Sequence, residues 1–391
     1  MSMAWRFTGC GRDLTNRMEQ VIGIRVDANS TVAMGHIMRC ITIAKQMKYL
    51  RQKTIFFTAD SYAHDLLEAA GMEYVCLNTA WNRMEDETQQ LREELEKTGC
   101  RKLLVDSYQV TRAYFDKLRD ICKIIYIDDC FEDVYPVDMV INYNAYHVRF
   151  PYKETYEGRA KLLLGTAYVP LREEFQRAYL QKTGMEPKAE VSLCPFDFET
   201  KKVLHILKQR RDEQKGRVNV LLSSGGGDTY DALSGILQSA AEEPALSWAV
   251  FHVVVGKFNQ NREKLQALAE KNPAIRLYHN VSNMAELMEE CDLAVSAAGT
   301  VLFELCAMQI PAVFFVCADN QLYDSEFFAD EERMLFAGDI RQDREECLKR
   351  INRNLKILLQ DKALRKRMKE ALCQVTDGQG ALRIAEEIWK L

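Results

Sequence analysis

The chain has 391 residues, 47% hydrophobic and 28% charged, with only 8 prolines and a formal net charge of −5 at pH 7. That length exceeds one ordinary core and suits two domains, while the balanced composition excludes a disordered or fibrous chain. The acidic balance offers no basic surface for nucleic acid or an anionic membrane, and no run of about 18 apolar residues suggests a membrane span.

Residues 1–20, "MSMAWRFTGCGRDLTNRMEQ", read as an N-terminal extension without the apolar core of a secretory signal. From Val21 the pattern becomes strand, turn, helix, repeated. "VIGIRV" is a strand, and "HIMRCITIAKQMKYL" sets Ile37, Cys40, Ile41, Ala44 and Met47 on one helical face. "KTIFFTA" and "EYVCL" are strands around the helix "SYAHDLLEAAG", and a charged helix runs from about Met84 to Lys97. "CRKLLVDSY", "CKIIYIDDC", "DMVINYN" and "AKLLLG" finish a first half, 21–175. Residues 176–216, rich in mixed polarity and ending in a basic helix, read as a linker. The alternation restarts at 217 with "RVNVLLSSGGGD" and continues through "WAVFHVVVG", "IRLYHN", "LAVSAAG" and "PAVFFVC" to a last helix, Ala381 to Leu391. Strands alternating with helices mean parallel sheets, so the expected architecture is α/β and GT-B-like: two Rossmann-like domains with a cleft between them.

The 12 cysteines form no CxxC and no zinc spacing with histidine. They read as reduced thiols of a cytoplasmic protein, and neither a metal nor a cofactor is expected. Two turns in the second half carry phosphate chemistry. After "VNVLL" come Ser223, Ser224, Gly225, Gly226, Gly227 and Asp228, where glycines let backbone amides approach an anion and the next helix adds its positive end. It is neither GxGxxG nor a P-loop, and a tight turn without ligand is the alternative. After "LAV" come Ser296, Ala297, Ala298, Gly299 and Thr300, with Glu304 one turn into the helix; a carboxylate there suits two sugar hydroxyls or a helix cap. "ADNQ" (Ala318 to Gln321) brings amide side chains to a third strand end, where open α/β sheets meet ligands.

In the first half His36 stands where a helix begins after "RVDANSTVAMG". An imidazole there suits a general base near pH 7, but a lone turn histidine also serves as a cap or phosphate contact. Gly35 leaves room beside it. Asp27, Arg25 and Arg39 flank the turn; Asp27 either orients the histidine, bonds a sugar or pairs with an arginine. Asp106, Asp128 and Asp129 end strands beside the cleft.

Taken together, "RVDANSTVAMGHIMRC", "VDSY", "YIDD", "LLGTAYVPLREEF", "SSGGGD", "NVSNMAELMEECDLAVSAAGTVLFELCAMQIPAVFF", "ADNQ" and "DGQGALRIAEEI" resemble one family. It comprises the UDP-sugar hydrolases of pseudaminic acid biosynthesis and the related spore-coat polysaccharide proteins, GT-B proteins akin to MurG. The resemblance covers most of Val21 to Leu391 and implies a UDP-sugar substrate, cleaved by water at C1. It assigns His36 and Tyr108 to catalysis, and Asn320 and Gln321 to the sugar, beside which the turn residues Asp27, Gly35 and Arg39 are also expected. Ser224, Gly225, Gly226, Ser296, Gly299 and Thr300 would meet the diphosphate, Glu304 the ribose, and Val281 and Met284 the uracil. Ser107 and Ala298 depart from the family's histidine and glycine and leave the particular sugar open. A transferase of the same fold and a non-catalytic nucleotide-sugar binding protein are the competing functions. The oligomeric state is not legible.

Overall fold

The structure, a computed structural model, describes residues 21–29, 34–184, 217–256, 259–279, 281 and 283–391. Runs of Val, Ile, Leu and Phe too apolar to face water on either side build two all-parallel sheets. The first holds β1 (Val21–Val26), β2 (Lys53–Thr58), β3 (Glu73–Cys76), β4 (Cys100–Asp106), β5 (Lys123–Ile127), β6 (Met139–Asn142) and β7 (Lys161–Leu164), in the order β3-β2-β1-β4-β5-β6-β7. The second holds β8 (Val218–Ser223), β9 (Ala249–Val255), β10 (Ile275–His279), β11 (Leu293–Ala297), β12 (Ala312–Val316) and β13 (Leu335–Asp339), in the order β10-β9-β8-β11-β12-β13. Each order reverses direction beside its first strand, between β1 and β4 and between β8 and β11. Such switch points open a crevice at the carboxyl ends of the strands.

Helix α1 (Gly35–Tyr49) follows β1 and buries Ile37, Cys40, Ile41, Ala44 and Met47, the face its spacing sets. Two segments depart from the expected boundaries. Residues 176–183 are not linker: they belong to a helix, Glu173–Thr183, that packs on helices Met284–Glu289 and Thr300–Met308 of the second domain. Phe175, Ala178 and Tyr179 supply its apolar face. The rest of the expected linker, 185–216 with its basic helix, and the extension 1–20 lie outside the described residues. The last helix, Gly380–Lys390, leaves the second domain and packs against α1. Its Ile384, Ala385 and Ile388 join Ile37, Ile41 and Ala44 in one core. The ammonium of the buried Lys102 donates to the carbonyls of Ile388 (2.8 Å) and Trp389 (3.0 Å), which offsets the orphan carbonyls of that helix end.

The chain therefore crosses between domains twice, near 169–173 and near 376–380. Among the described residues no helix is long and apolar enough to cross a membrane.

Candidate active site

Register decides which acid stands beside His36. In the β1–β4 pairing Val26 lies opposite Asp106, so the Asp106 side chain ends on the face that α1 covers. Arg25 and Asp27 alternate to the other face. There Arg25, fully buried, donates to both Glu87 oxygens at 2.6 and 2.8 Å, and its NH1 forms an ion pair with Asp27 Oδ2 at 2.7 Å. The other Asp27 oxygen accepts from Ala59 N (2.7 Å). Of the three tasks open to Asp27, the structure shows the pairing with an arginine, while the acid bonded to His36 is Asp106.

His36, in the first turn of α1, places Nδ1 2.7 Å from Asp106 Oδ1. Arg39 NH2 is 3.1 Å from the same nitrogen, but it donates to Asp106 Oδ1 at 2.5 Å, and Arg39 Nε donates to Asp106 Oδ2 at 2.6 Å. An ionised carboxylate only accepts, so Nδ1 carries the hydrogen and Nε2 remains the acceptor. Burial alone would push the Asp106 carboxyl up, but the Arg39 charge, with the hydrogen bonds from Arg39 and His36, holds it well below the usual range. It stays an anion at any working pH.

Arg39 also donates to Asp129 Oδ2 (2.8 Å) and Tyr143 Oη (2.6 Å). With its guanidinium spent on protein partners, Arg39 is a positioning residue, not the sugar contact expected. Tyr108 packs edge-on to the His36 ring, centroids 4.8 Å apart, and donates its hydroxyl to Asp129 (2.8 Å). Burial, then the Asp129 charge, raises that phenol far above its ordinary range, so it acts as a neutral hydrogen-bonding group. Gly35 is exposed, and a Cβ there would meet nothing within 4 Å. Among the described residues, nothing packs where that Cβ would stand.

The two phosphate-type turns of the second domain differ. Asp228 accepts from Ala232 N (2.8 Å) and Leu233 N (3.2 Å), so the helix Ala232–Ala241 is capped by the chain's own carboxylate. The expectation that this helix end faces an anion is thereby corrected. Ser224 Oγ donates to Gly227 O (2.7 Å) and Gly225 N to Ser223 Oγ (3.3 Å), while Gly225 and Gly226 stay exposed. The helix Thr300–Met308, in contrast, has no side-chain cap and no acid in its first turn. Gly299 before it adopts φ +129°, a backbone that favours glycine. This is the open amide end, with Thr300 exposed at its start. Ser296 is fully buried and donates to Ala297 O (2.9 Å), so it braces the strand end and does not face the cleft as expected.

Gln321 accepts from Cys317 N (2.8 Å), which leaves its amide nitrogen turned to Gly299, 3.9 Å from where a Cβ would stand. Asn320 lies in the same turn, Asp319–Gln321. Glu304 is mostly buried; burial pushes its carboxyl up, and Arg172 NH2, donating at 3.1 Å, pulls it back. Arg172 also pairs with Glu174 (3.0 Å), whose carboxylate accepts from Met284 N (3.3 Å). Val281 and Met284 are half-buried beside it. The segment 172–174 thus touches two positions assigned to the nucleoside, Glu304 and Met284. Only the stretch "VPLREEF" pointed to it. Among the described residues no three His, Cys, Asp or Glu side chains gather as a metal site would need.

The sequence profile of the Glycosyltransferase family 28 C-terminal domain matches residues 220–387. MurG of Acinetobacter baumannii has a TM-score of 0.62 to this structure over 95% of this chain and 100% of that one, at 15% identity. The protein is an α/β protein of the GT-B fold, glycosyltransferase-like in architecture. Among relatives of known sequence, protein MJ1062 of Methanocaldococcus jannaschii, itself uncharacterized, is 22% identical over 313 residues, 77% of this chain. The spore coat polysaccharide biosynthesis protein SpsG of Bacillus subtilis is 26% identical over 120 residues, 31% of this chain. The match spans 56% of the first relative's length and 35% of the second's. The UDP-2,4-diacetamido-2,4,6-trideoxy-beta-L-altropyranose hydrolase of Campylobacter jejuni is 23% identical over 282 residues, 72% of this chain and 85% of that protein.

Proposed function

We propose that the protein is a hydrolase that releases UDP from a UDP-2,4-diacetamido-2,4,6-trideoxyhexose by attack of water at C1. The observation that carries this reading is His36: Nδ1 is bound to an ionised Asp106, Nε2 is left as an acceptor, and the ring stands at the β1–β4 crevice. A diphosphate leaves readily, so the reaction needs a base more than an acid. His36 Nε2 takes a proton from water as the water oxygen bonds C1. The bond from C1 to the diphosphate oxygen breaks, and UDP departs with the electron pair. Asp106 stabilises the imidazolium, which then returns its proton to solvent. Attack opposite the leaving group inverts C1. The uncapped end of helix Thr300–Met308, with Gly299, Thr300 and the Gln321 amide, would hold the diphosphate, and Glu304 would accept from the ribose once Arg172 yields.

The glycosyltransferase family 28 match supports a second reading, transfer of the sugar to a hydroxyl acceptor. One assay separates the two. The protein is incubated with the UDP-diacetamido sugar and no acceptor, and UDP and free sugar are followed together. Equal release of both is expected. UDP release that appears only when an acceptor is added would favour the transferase.

A further inference from the structure

Asp324 has no task in the reading above, and its setting is unusual. It lies on helix Leu322–Ala329, one turn beyond Gln321. That helix docks on the first domain's turn Ala145–Arg149, with the rings of Tyr146 and Tyr323 5.4 Å apart and Arg149 5.2 Å over the Tyr323 ring. The docking leaves Asp324 only 5% exposed, and among the described residues its Oδ1 has no hydrogen-bond partner. The cations on neighbouring elements are engaged elsewhere. Arg149 pairs with Glu326, Arg341 with Asp319 and Asp339, Arg333 bonds main-chain carbonyls, and the His147 ring bonds Asn144 O. The charge that does act on Asp324 is repulsive: Asp129, the residue that holds Tyr108 and Arg39 beside His36. The Tyr146 phenol feels both carboxylates. Asp324 thus sits one turn from Gln321, on a helix docked against the first domain, within reach of the Asp129 charge.

A buried carboxyl without a donor is costly, and a ligand that brings one relieves that cost. We infer that Asp324 is a specificity-determining contact to the glycosyl group: its carboxylate accepts from an N–H or O–H of the sugar and, with Asp129, rejects sugars that carry a carboxylate of their own. The inference rests on the nucleotide-sugar reading and narrows its substrate class to neutral, donor-bearing sugars. It also sets a pH signature. Burial, then Asp129, raises the Asp324 carboxyl to about 7 in the empty cleft, and a donor-bearing sugar favours its ionised form. Sugar-dependent affinity is therefore full above pH 7 and falls as pH drops through it.

The test measures dissociation constants for UDP, a neutral UDP-diacetamido sugar and UDP-glucuronate. The protein is the full chain carrying His36→Ala, which suppresses turnover, with and without Asp324→Asn. Expected are unchanged UDP affinity, a neutral sugar bound roughly tenfold more weakly by the Asp324→Asn protein, and UDP-glucuronate bound several-fold more tightly. The ratio of neutral UDP-sugar to UDP affinity should fall between pH 8 and 6 with Asp324 present and be flat in Asp324→Asn. Identical ratios in both proteins would overturn the inference, as would a flat ratio with Asp324 present should the substituted protein fail to fold. No UDP binding by any form would overturn the nucleotide reading, and this inference with it.

Discussion

At the scale of single residues, His36 and Asp106 form one unit, and their substitutions should behave as one. His36→Ala should lower kcat by roughly 10²–10⁴-fold with UDP affinity nearly unchanged, because the proposed reading puts the nucleotide on the opposite domain. His36→Asn should do no better, since an amide bonds water without taking its proton. Asp106→Asn should cost a similar factor in kcat, because an amide does not fix the tautomer, and the double variant should be little worse than either single one. A stopped assay of UDP release, with UDP binding by calorimetry, checks all four. Loss of UDP affinity with kcat preserved would instead make His36 a phosphate ligand. The histidine was legible in the sequence; its partner was not. Asp27 and Asp106 both end strands near that turn, and only the β1–β4 register and the alternation of side chains separate them. Asp324 was silent for the same reason: its meaning comes from a wall supplied by another domain.

At the scale of elements, strands and helices were readable because the inner strands are buried on both faces and the helices carry an apolar face. What covers each face was not readable. The apolar stripe of Gly380–Lys390 has the same spacing whichever domain it joins, and the helix Glu173–Thr183 was obscured by its polar surface. Strand β9, next to the edge of the second sheet, carries its own pH-dependent element. His252, fully buried, bonds Tyr278 Oη (2.9 Å) and Asn219 Oδ1 (3.0 Å), and burial, then the charge of Arg276, lowers it to about 4. As pH falls, the unfolded chain takes up this proton first, near its ordinary value of about 6.5. The stability that neutral His252 contributes is intact above that value and is lost as pH falls toward 4, by up to about 3 kcal/mol. Urea unfolding at pH 7.5, 5.5 and 4.5 should show a smaller acid loss for His252→Gln than for the parent. Equal losses would mean that His252 does not titrate on unfolding.

At the scale of the whole molecule, the last helix belongs to the first domain, so a fragment beginning near residue 217 would end in an apolar helix without its partner α1. Nucleotide preference is therefore to be read on the full chain, with UDP expected to bind more tightly than ADP or NAD. Equal affinity for all three would remove the uridine assignment. The two crossings also meet each other. Gly378, at φ +72°, lies so near the first crossing that a Cβ would stand 3.1 Å from Gln176 Cα, and a Cβ on Gly380 would collide with the backbone of Tyr168 and Val169. Two chain passages pressed together act like both leaves of a door hung on one pin: any opening would turn about that line, and a small wedge at the pin would become a wide gap at the free edge, where the proposed reaction brings His36 to the sugar. Gly380→Ala is such a wedge. It should leave UDP affinity close to normal while lowering turnover, and widen the distance between labels placed on the two domains. A variant with normal turnover and unchanged label distance would show that the domains swing about some other axis.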